Sequence, residues 1–543
     1  MNAFNFYFKG GSNIKQWTEL THNGPLFPPK YIPHKIPVII NNINVILPAE
    51  AEEIATFYAR YLDTEYIQHK AFNKNFWKDF KKTLINIKVS QLDEIDFSLI
   101  KKHLDNEKER KKHISKEIKD EIKKNILINE EPYKFCIIDG TQQNVGNYKI
   151  EPPTIFIGRG SHPKIGCIKK RILPEDIILN LSKTAKIPDP PPGHVWGSII
   201  HDQSVIWLAS WKDNITDKNK YIFTSFESFF KAKSDEEKFN IARKLKKKVS
   251  SIRDIYEKRL ISDDVKGKQL ATALYLIDHL ALRVGGKKDA TETADTVGVT
   301  SLRVEHITLL EPFSIKLDFL GKDSIRYCKK IDVIKDVYNN LILFGKNKSK
   351  KDNLFDQINS SSVNEYLNFL MPGLTSKIYR TMNASFIFQK ELDKLISNKK
   401  IELYTDKEEK LNFLISIFNQ ANTAVAVLCN HQKKNVSSNL DNIMNKLNIS
   451  LKELLKKKNK YKELKDNDKL KKIINKIQII KLKKELKLKM KNVSLGTSKQ
   501  NYIDPRIIFA FIKRYDIPSD KIFSHQLLTR FNWATDVNIN YRF

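Results

Sequence analysis

The sequence predicts a multidomain fold of mixed α and β structure, and three observations carry that prediction. At 543 residues with 41% apolar content the chain exceeds one ordinary core, so two to four compact units are expected. Its texture changes along the length, from charged helical stretches to Gly- and Pro-punctuated apolar runs and back to helical periodicity. A lysine-rich stretch from about Lys433 to Lys491 then carries only sparse Leu and Ile, and a short apolar, aromatic segment closes the chain.

In chain order, GPLFPPKYIPHKIPVII is a proline-rich extended lead-in, and an amphipathic helix opens near Pro48. The stretch KKHLDNEKERKKHISKEIKDEIKKN has few apolar positions and predicts long, solvent-exposed, protruding helices. From Phe135 to Ile222, runs such as FCIIDG, TIFIGRGSHPKIG and VIWLASW predict loop-rich β structure with some helix. A helical region begins near Glu227, within which Leu270, Leu274, Ile277, Ala281 and Val284 form a buried stripe running into Arg283. SIKLDFLGKDSIRYCKKI alternates Ile315, Leu317 and Phe319, turns at Gly321-Lys322-Asp323 and continues, which predicts a β-hairpin with a lysine at its tip. Helices resume around TSKIYRTMNASFIFQKEL and AVAVLCNHQ. Leu451, Leu454, Leu455 and Leu464, then Leu470, Ile473, Ile474 and Ile477, predict two antiparallel helices with a tip at Lys465 to Lys469. Such a spacer leaves the body and returns, delivering Tyr502 to residues far away in sequence.

Lys plus Arg number 95 against 63 Asp plus Glu, a formal charge of +32 that points to a polyanionic partner, nucleic acid before membrane. An AT-rich coding sequence that inflates Lys, Asn and Ile accounts for part of this excess. Cys136, Cys167, Cys328 and Cys429 are widely spaced, which disfavours a zinc site or disulfide framework and fits a reducing compartment. No secretory leader is read at the N-terminus and no run reaches membrane-spanning length, so a soluble, non-secreted protein is expected. The basic run Lys244 to Lys248 reads equally as surface lysines or an import signal.

A lone Tyr502 in TSKQNYIDPR raises a chemical question. A phenol, with a reference pKa of about 10, is a poor nucleophile at neutral pH unless cations or a base assist it. Attack on a phosphodiester builds charge on the non-bridging oxygens, which arginines and a hydrogen-bond-donating histidine stabilise, while the departing alkoxide needs a proton that a hairpin-tip lysine can supply. The sequence has no GxxxxGK[ST] and no obvious acidic metal cluster, which disfavours nucleotide-driven and two-metal mechanisms. On spacing alone every candidate has a plain alternative: Tyr502 is one of 19 tyrosines and could be packing, Arg283 a helix cap, Lys322 a turn residue, Arg380 a carboxylate partner and His431 a satisfied structural histidine.

The segments LALRVGGKKDATETADTVGVTSLRVEHI, DFLGKDSIRY, KIYRTMNAS, AVAVLCNHQ and LGTSKQNYIDPRI resemble, in order, the active-site segments of the eukaryotic type IB DNA topoisomerases. GPLFPPKY, AEEIATFYARYLD, GRGSHPKIG and the run from ILPEDIILN through AKIPDPPPGH resemble that family's DNA-clamping amino-terminal lobe, so the resemblance runs from about residue 14 to the C-terminus. It implies an α+β multidomain fold: a clamp core lobe at 1–27 and 116–226, a mixed α/β cap lobe at 28–115, a mainly helical, tyrosine-recombinase-like catalytic core at 227–434, a two-helix linker at 435–491 and a small helical C-terminal domain at 492–543. By position it makes Tyr502 the nucleophile of a 3′-phosphotyrosine linkage, Arg283 and Arg380 the holders of the scissile phosphate, His431 a donor to a non-bridging oxygen and Lys322 the general acid.

The same resemblance implies DNA contacts from Arg159, Lys220, Tyr221, Lys238, Lys288, Thr296, Thr375 and Lys377, on a basic clamp surface that surrounds the duplex and touches phosphates more than bases. Arg159, Asp323 and Asn501 match a pocket for camptothecin-type inhibitors. Relaxation of positive and negative supercoils without ATP or metal is implied, with divalent cations as stimulators at most. So are a monomer on double-stranded DNA, replication or transcription proteins as partners, no membrane association, and a nuclear location that no signal in the sequence specifies. Two features depart from the resemblance: the sequence begins almost at the core, where family members usually carry a long charged amino-terminal extension, and the linker reads as more lysine-rich and shorter than usual. Its lysines fit a solvated spacer or a damper of DNA swivelling equally well. Tyrosine recombinases share the Arg/Lys/Arg/His/Tyr chemistry, but they generally place a histidine three residues before the second arginine, where Lys377 stands here, and they lack the clamp segments. A catalytically silent DNA clamp is the alternative from a different class.

Overall fold

A computed structural model describes residues 15–286, 292–397, 401, 404, 406–432, 440–464, 466–489 and 493–543; Lys288, residues 1–14 and the 433–439 start of the lysine-rich stretch lie outside them. The chain forms two compact units, one of the residues up to Lys231 with 292–295, the other of 232–286 and 296–543.

The first unit has two apolar cores. One gathers Val38, Ala51, Phe57, Tyr58, Phe72, Phe76, Phe80 and Ile100, with Ile155, Ile165 and Ile168 reaching in from the GRGSHPKIG neighbourhood. Its first helix, Ala49–Ala59, starts after Pro48, whose fixed φ suits a helix start. Ser98–Lys112 and Lys116–Glu130 are the charged helices; the first buries only Ile100 and the second only Glu130, as a sequence nearly free of an apolar face requires. The second core packs Trp17, Leu20, Leu179, Leu208, Trp211 and Ile222 around a four-stranded sheet in which Ile178–Asn180 pairs in parallel with Ser198–Ile200 and antiparallel with Trp207–Lys212, which in turn pairs with Asn219–Phe223. Of the helix expected between Phe135 and Ile222, the structure forms only the 3-10 turn Pro174–Asp176.

The second unit is mainly helical around one large core. Phe229–Leu260 and Val265–Leu280 come first, the latter capped by the Asp264 carboxylate on the Lys266 and Gly267 N–H groups. The apolar stripe expected to run on to Val284 stops sooner: the helix ends at Leu280 and Ala281 is left-handed at φ 49°, so Arg283 and Val284 follow on chain without regular structure. That chain is sealed by Val299 N donating to the Arg283 carbonyl at 2.9 Å and Thr300 N to that of Val284 at 2.7 Å. Gly285 has φ +81°, and a Cβ on Gly298 would stand 2.5 Å from the Gly285 Cα and 2.7 Å from the Arg283 carbonyl oxygen, so only glycines allow the two segments to meet.

The lysine hairpin forms as expected. Ser314–Leu320 and Arg326–Asp332 pair from Ser314↔Asp332 to Leu320↔Arg326, with Ile307–Leu310 as the third strand. The tip is a 3-10 turn, Lys322–Ser324, in which Asp323 and Ser324 take left-handed φ of 66° and 58°. Leu440–Glu463 and Asn467–Lys489 form the predicted helix pair, with the Asp466 carboxylate accepting from Lys469 N at the turn. The second of them does not stand free: it packs on Lys407–Leu428, contributes Ile479 to the core and pairs Lys476 with Glu409. Against the expectation of no membrane-length run, Lys407–Leu428 is long and apolar enough to cross a bilayer; here Phe413, Leu414, Ile417, Phe418 and Val425 are buried in the core.

Candidate active site

Three connections bring the distant segments together. Ser385, five residues after Arg380 on the helix Ser376–Ser397, donates its hydroxyl to the Tyr502 carbonyl at 3.1 Å and accepts the Asp504 N–H at 3.0 Å. After Leu428, Asn430 turns left-handed at φ 52°, and its side chain and that of Gln432 reach the Arg326 carbonyl of the hairpin. The His431 carbonyl accepts Ser494 N at 2.8 Å, and Gln432 bridges to Val493, so the histidine is strapped to the segment that leads into Leu495–Asn501 and Tyr502.

These ties place Arg283, Lys322, Arg380 and His431 around one cleft of about 200 Å³, lined also by Asp323, Tyr327, Asn430, Ser494 and Thr497. Arg380 is 4% exposed and donates to the main-chain carbonyls of Ala281 and, at 3.1 Å, Cys429. Its carbon Cζ lies 5.1 Å from the centroid of the Tyr502 ring. The imidazole of His431 stacks 5.4 Å from the Tyr502 ring at 28°, and its Nδ1 is 2.8 Å from Ser498 Oγ. Tyr502 itself is 4% exposed. Lys322, at the hairpin tip, is exposed.

Two buried polar atoms of the site, Arg380 Nε and His431 Nε2, have no hydrogen-bond partner among the described residues. Such groups are rare and costly in a finished core, which weighs against the structural-histidine and carboxylate-partner readings of these residues. The electrostatics point the same way. Burial pushes the Tyr502 phenol up, but the Arg380 and Arg283 guanidiniums outweigh it and hold the pKa below its ordinary value. Burial, then Arg380 and Arg283, drive His431 down to about 3, leaving a neutral imidazole that has one donor to offer. The two guanidiniums that line the cleft thus also lower the pKa of the neighbouring phenol.

The remaining expected residues are distributed differently. Asn501 folds its side chain back onto the Thr497 carbonyl at 3.2 Å. Lys238 is engaged inside the protein, its Nζ 3.0 Å from Asp235 and 3.2 Å from the Asn501 carbonyl, with Asp235 also held by Arg530. Thr296 is buried, Thr375 lies just before the helix that carries Arg380, and Lys377 is exposed on its first turn. In the first unit, Arg159 is exposed, Lys220 lies 3.5 Å from Glu151, and the Tyr221 ring packs 5.6 Å from Trp207. Ser385 and Ser498 were not singled out from sequence. Ser498 stands four residues before Tyr502, a spacing that brings two residues to one helical face, so that signal was there.

A buried tyrosine beside a histidine and two arginines, with a hairpin lysine on the cleft that those arginines line, is of the class of site whose charge suits an anionic group. Comparisons with known proteins then narrow the class to a family. Residues 15–224 match the model of the eukaryotic DNA topoisomerase I DNA binding fragment, 227–493 that of the eukaryotic DNA topoisomerase I catalytic core, and 474–543 a C-terminal topoisomerase domain. DNA topoisomerase 1 of Caenorhabditis elegans is 42% identical over 96% of this chain and 67% of its own length. That of Homo sapiens is 40% identical over 96% and 71%, and DNA topoisomerase 1 beta of Arabidopsis thaliana 41% over 98% and 60%. The chain belongs to the eukaryotic DNA topoisomerase I family and is an enzyme of the type IB class.

Proposed function

We propose that this enzyme relaxes supercoils in double-stranded DNA by transient cleavage of one strand. Tyr502 Oη attacks the scissile phosphorus, its proton leaving to solvent, and the P–O5′ bond breaks as a 3′-phosphotyrosine bond forms. Arg283 and Arg380 carry the charge on the phosphate, His431 donates to a non-bridging oxygen, and Lys322 protonates the departing 5′ oxygen. The observation that carries this reading is the pair of unpartnered buried donors, Arg380 Nε and His431 Nε2, beside a phenol with a depressed pKa. One phosphodiester is exchanged for another, so resealing by the 5′-hydroxyl requires no ATP, and the cationic side chains take the role a metal has in other phosphoryl transfers. While the strand is open the free end turns about the intact strand, which releases torsion of either sign.

The DNA is gripped largely through phosphates, by Arg159, Lys220, Tyr221, Lys288, Thr296, Thr375 and Lys377, which gives strongly salt-dependent binding. The enzyme works as a monomer in the nucleus, and its adduct is trapped by camptothecin-type inhibitors that contact Arg159, Asp323 and Asn501. Negatively and positively supercoiled plasmids, each incubated in EDTA without ATP, test the reading. Relaxation of both, lost in Tyr502→Phe while DNA binding persists, supports it. No relaxation despite salt-sensitive binding refutes it in favour of a silent DNA clamp.

A further inference from the structure

His431 needs one particular proton arrangement, and a residue outside the catalytic set supplies it. A neutral imidazole carries its single hydrogen on Nδ1 or on Nε2, and the partner of one nitrogen decides what the other presents. His431 lines the cleft and its Nε2 has no partner among the described residues, so a hydrogen there is a donor for an anionic oxygen, whereas a lone pair there would repel it. The partners that commonly orient histidines, main-chain carbonyls and carboxylates, only accept. They hold the hydrogen on Nδ1 and turn a lone pair outward, which suits a general base or a metal ligand and is wrong for an oxyanion donor. At Nδ1 of His431 stands instead a hydroxyl, Ser498 Oγ at 2.8 Å, a group that can donate.

We infer that Ser498 is a positioning residue: its hydroxyl donates to His431 Nδ1, keeps the hydrogen on Nε2 and so aims a donor at the non-bridging oxygen of the bound phosphate. The hydroxyl is well held. Ser498 is 0% exposed, and its own carbonyl accepts the Tyr502 N–H at 2.9 Å and the Ile503 N–H at 3.1 Å. One turn of helix therefore fixes both the backbone of the phenol and the tautomer of the histidine. The neutral charge state this arrangement requires is the one that burial and the two guanidiniums impose on His431.

The inference rests on the strand-cleavage reading above, and the experiment separates the two. Single-turnover cleavage of a duplex whose short downstream fragment, the one that carries the freed 5′-hydroxyl, dissociates is measured with the full chain as wild type, Ser498→Ala, Ser498→Thr, His431→Ala and the double variant Ser498→Ala/His431→Ala. Ser498→Ala should form the Tyr502 adduct about tenfold more slowly, the effect of one hydrogen bond, and Ser498→Thr should restore the rate to within about twofold. In the His431→Ala background the loss of Ser498 should cost nothing further, because its effect passes through the imidazole. Should Ser498→Ala fail to fold, Ser498→Cys, similar in size with a weak donor, takes its place with the same expectation. A wild-type rate in Ser498→Ala, or equal slowing with and without His431, overturns the inference while leaving strand cleavage intact. A wild-type chain that forms no adduct overturns both.

Discussion

Lys238 separates two readings of one ammonium group. The family resemblance makes it a DNA contact, yet its side chain is only 12% exposed and its Nζ holds Asp235 at 3.0 Å and the carbonyl of Asn501 at 3.2 Å. Burial, against the pull of Asp235, lowers its pKa. Asn501 directly precedes Tyr502, so the ammonium anchors the peptide that carries the phenol. In Lys238→Met the stem is kept and the charge removed. Asp235 remains paired with Arg530 at 2.7 Å, so no buried carboxylate is abandoned. The Asn501 carbonyl loses a charge-assisted hydrogen bond of about 1.5–3 kcal/mol. If that loss falls on the geometry of attack, it slows cleavage by about 10- to 100-fold. The assays are single-turnover cleavage at saturating DNA and the dependence of DNA affinity on salt. Positioning predicts slow cleavage with an unchanged slope of log affinity against log salt. Cleavage at the wild-type rate, with a slope reduced by about 0.9 as for one lost phosphate contact, refutes it.

Other outcomes follow from the same geometry. Lys322→Ala should slow cleavage of normal DNA and be rescued by a 5′-thio leaving group, which needs less protonation; absence of rescue removes Lys322 as general acid. Gly298→Ala should destabilise the second unit by at least about 1–3 kcal/mol and impair cleavage, because the added methyl collides with Gly285 and the Arg283 carbonyl; calorimetry and adduct formation read both effects. His431 titrates at about 3 when folded against an ordinary 6.5, so the folded protein binds fewer protons and loses stability as pH falls through that window. Between pH 7 and 5 the wild type should lose about 2 kcal/mol more than His431→Gln in denaturant unfolding, and equal losses would show that His431 is not buried neutral.

The sequence marked the elements whose signal is local. Alternating Ile315, Leu317 and Phe319 before Gly321 identified the hairpin and put Lys322 at its tip, because strand period and turn chemistry are short-range properties. Sparse Leu and Ile in a lysine-rich run likewise identified the paired helices, but not the docking of the second on Lys407–Leu428, which depends on a surface over fifty residues away. The apolar period ran through Ala281 to Val284 even though the helix stops at Leu280. Periodicity reports which residues are apolar and packed, and here packing continues beyond the helix, with Leu282 buried and Val284 partly buried on irregular chain fixed by the Gly285–Gly298 contact.

The five proposed catalytic residues were legible by resemblance, and the residues that hold them were not. Ser385, Asp235 and the carbonyls of Ala281 and Cys429 carry no chemistry of their own, so nothing in their spacing sets them apart from ordinary core polar groups; only Ser498 had a spacing signal, four residues before Tyr502. Their effect is to leave specific donors deliberately unmatched. Each terminal nitrogen of Arg380 donates to a carbonyl while Nε has no partner among the described residues, and His431 has Nδ1 engaged and Nε2 without a partner among them. A guanidinium and an imidazole free to rotate would satisfy themselves on water or a neighbouring carbonyl. Fixed in this way, each holds an uncompensated donor whose desolvation cost, about 1–3 kcal/mol per group, is relieved when an anionic oxygen arrives and most fully when its charge has grown. On the proposed mechanism, part of the folding free energy of the second unit is therefore stored as preference for a phosphate that carries extra charge, which is the condition for accelerating its transfer to Tyr502.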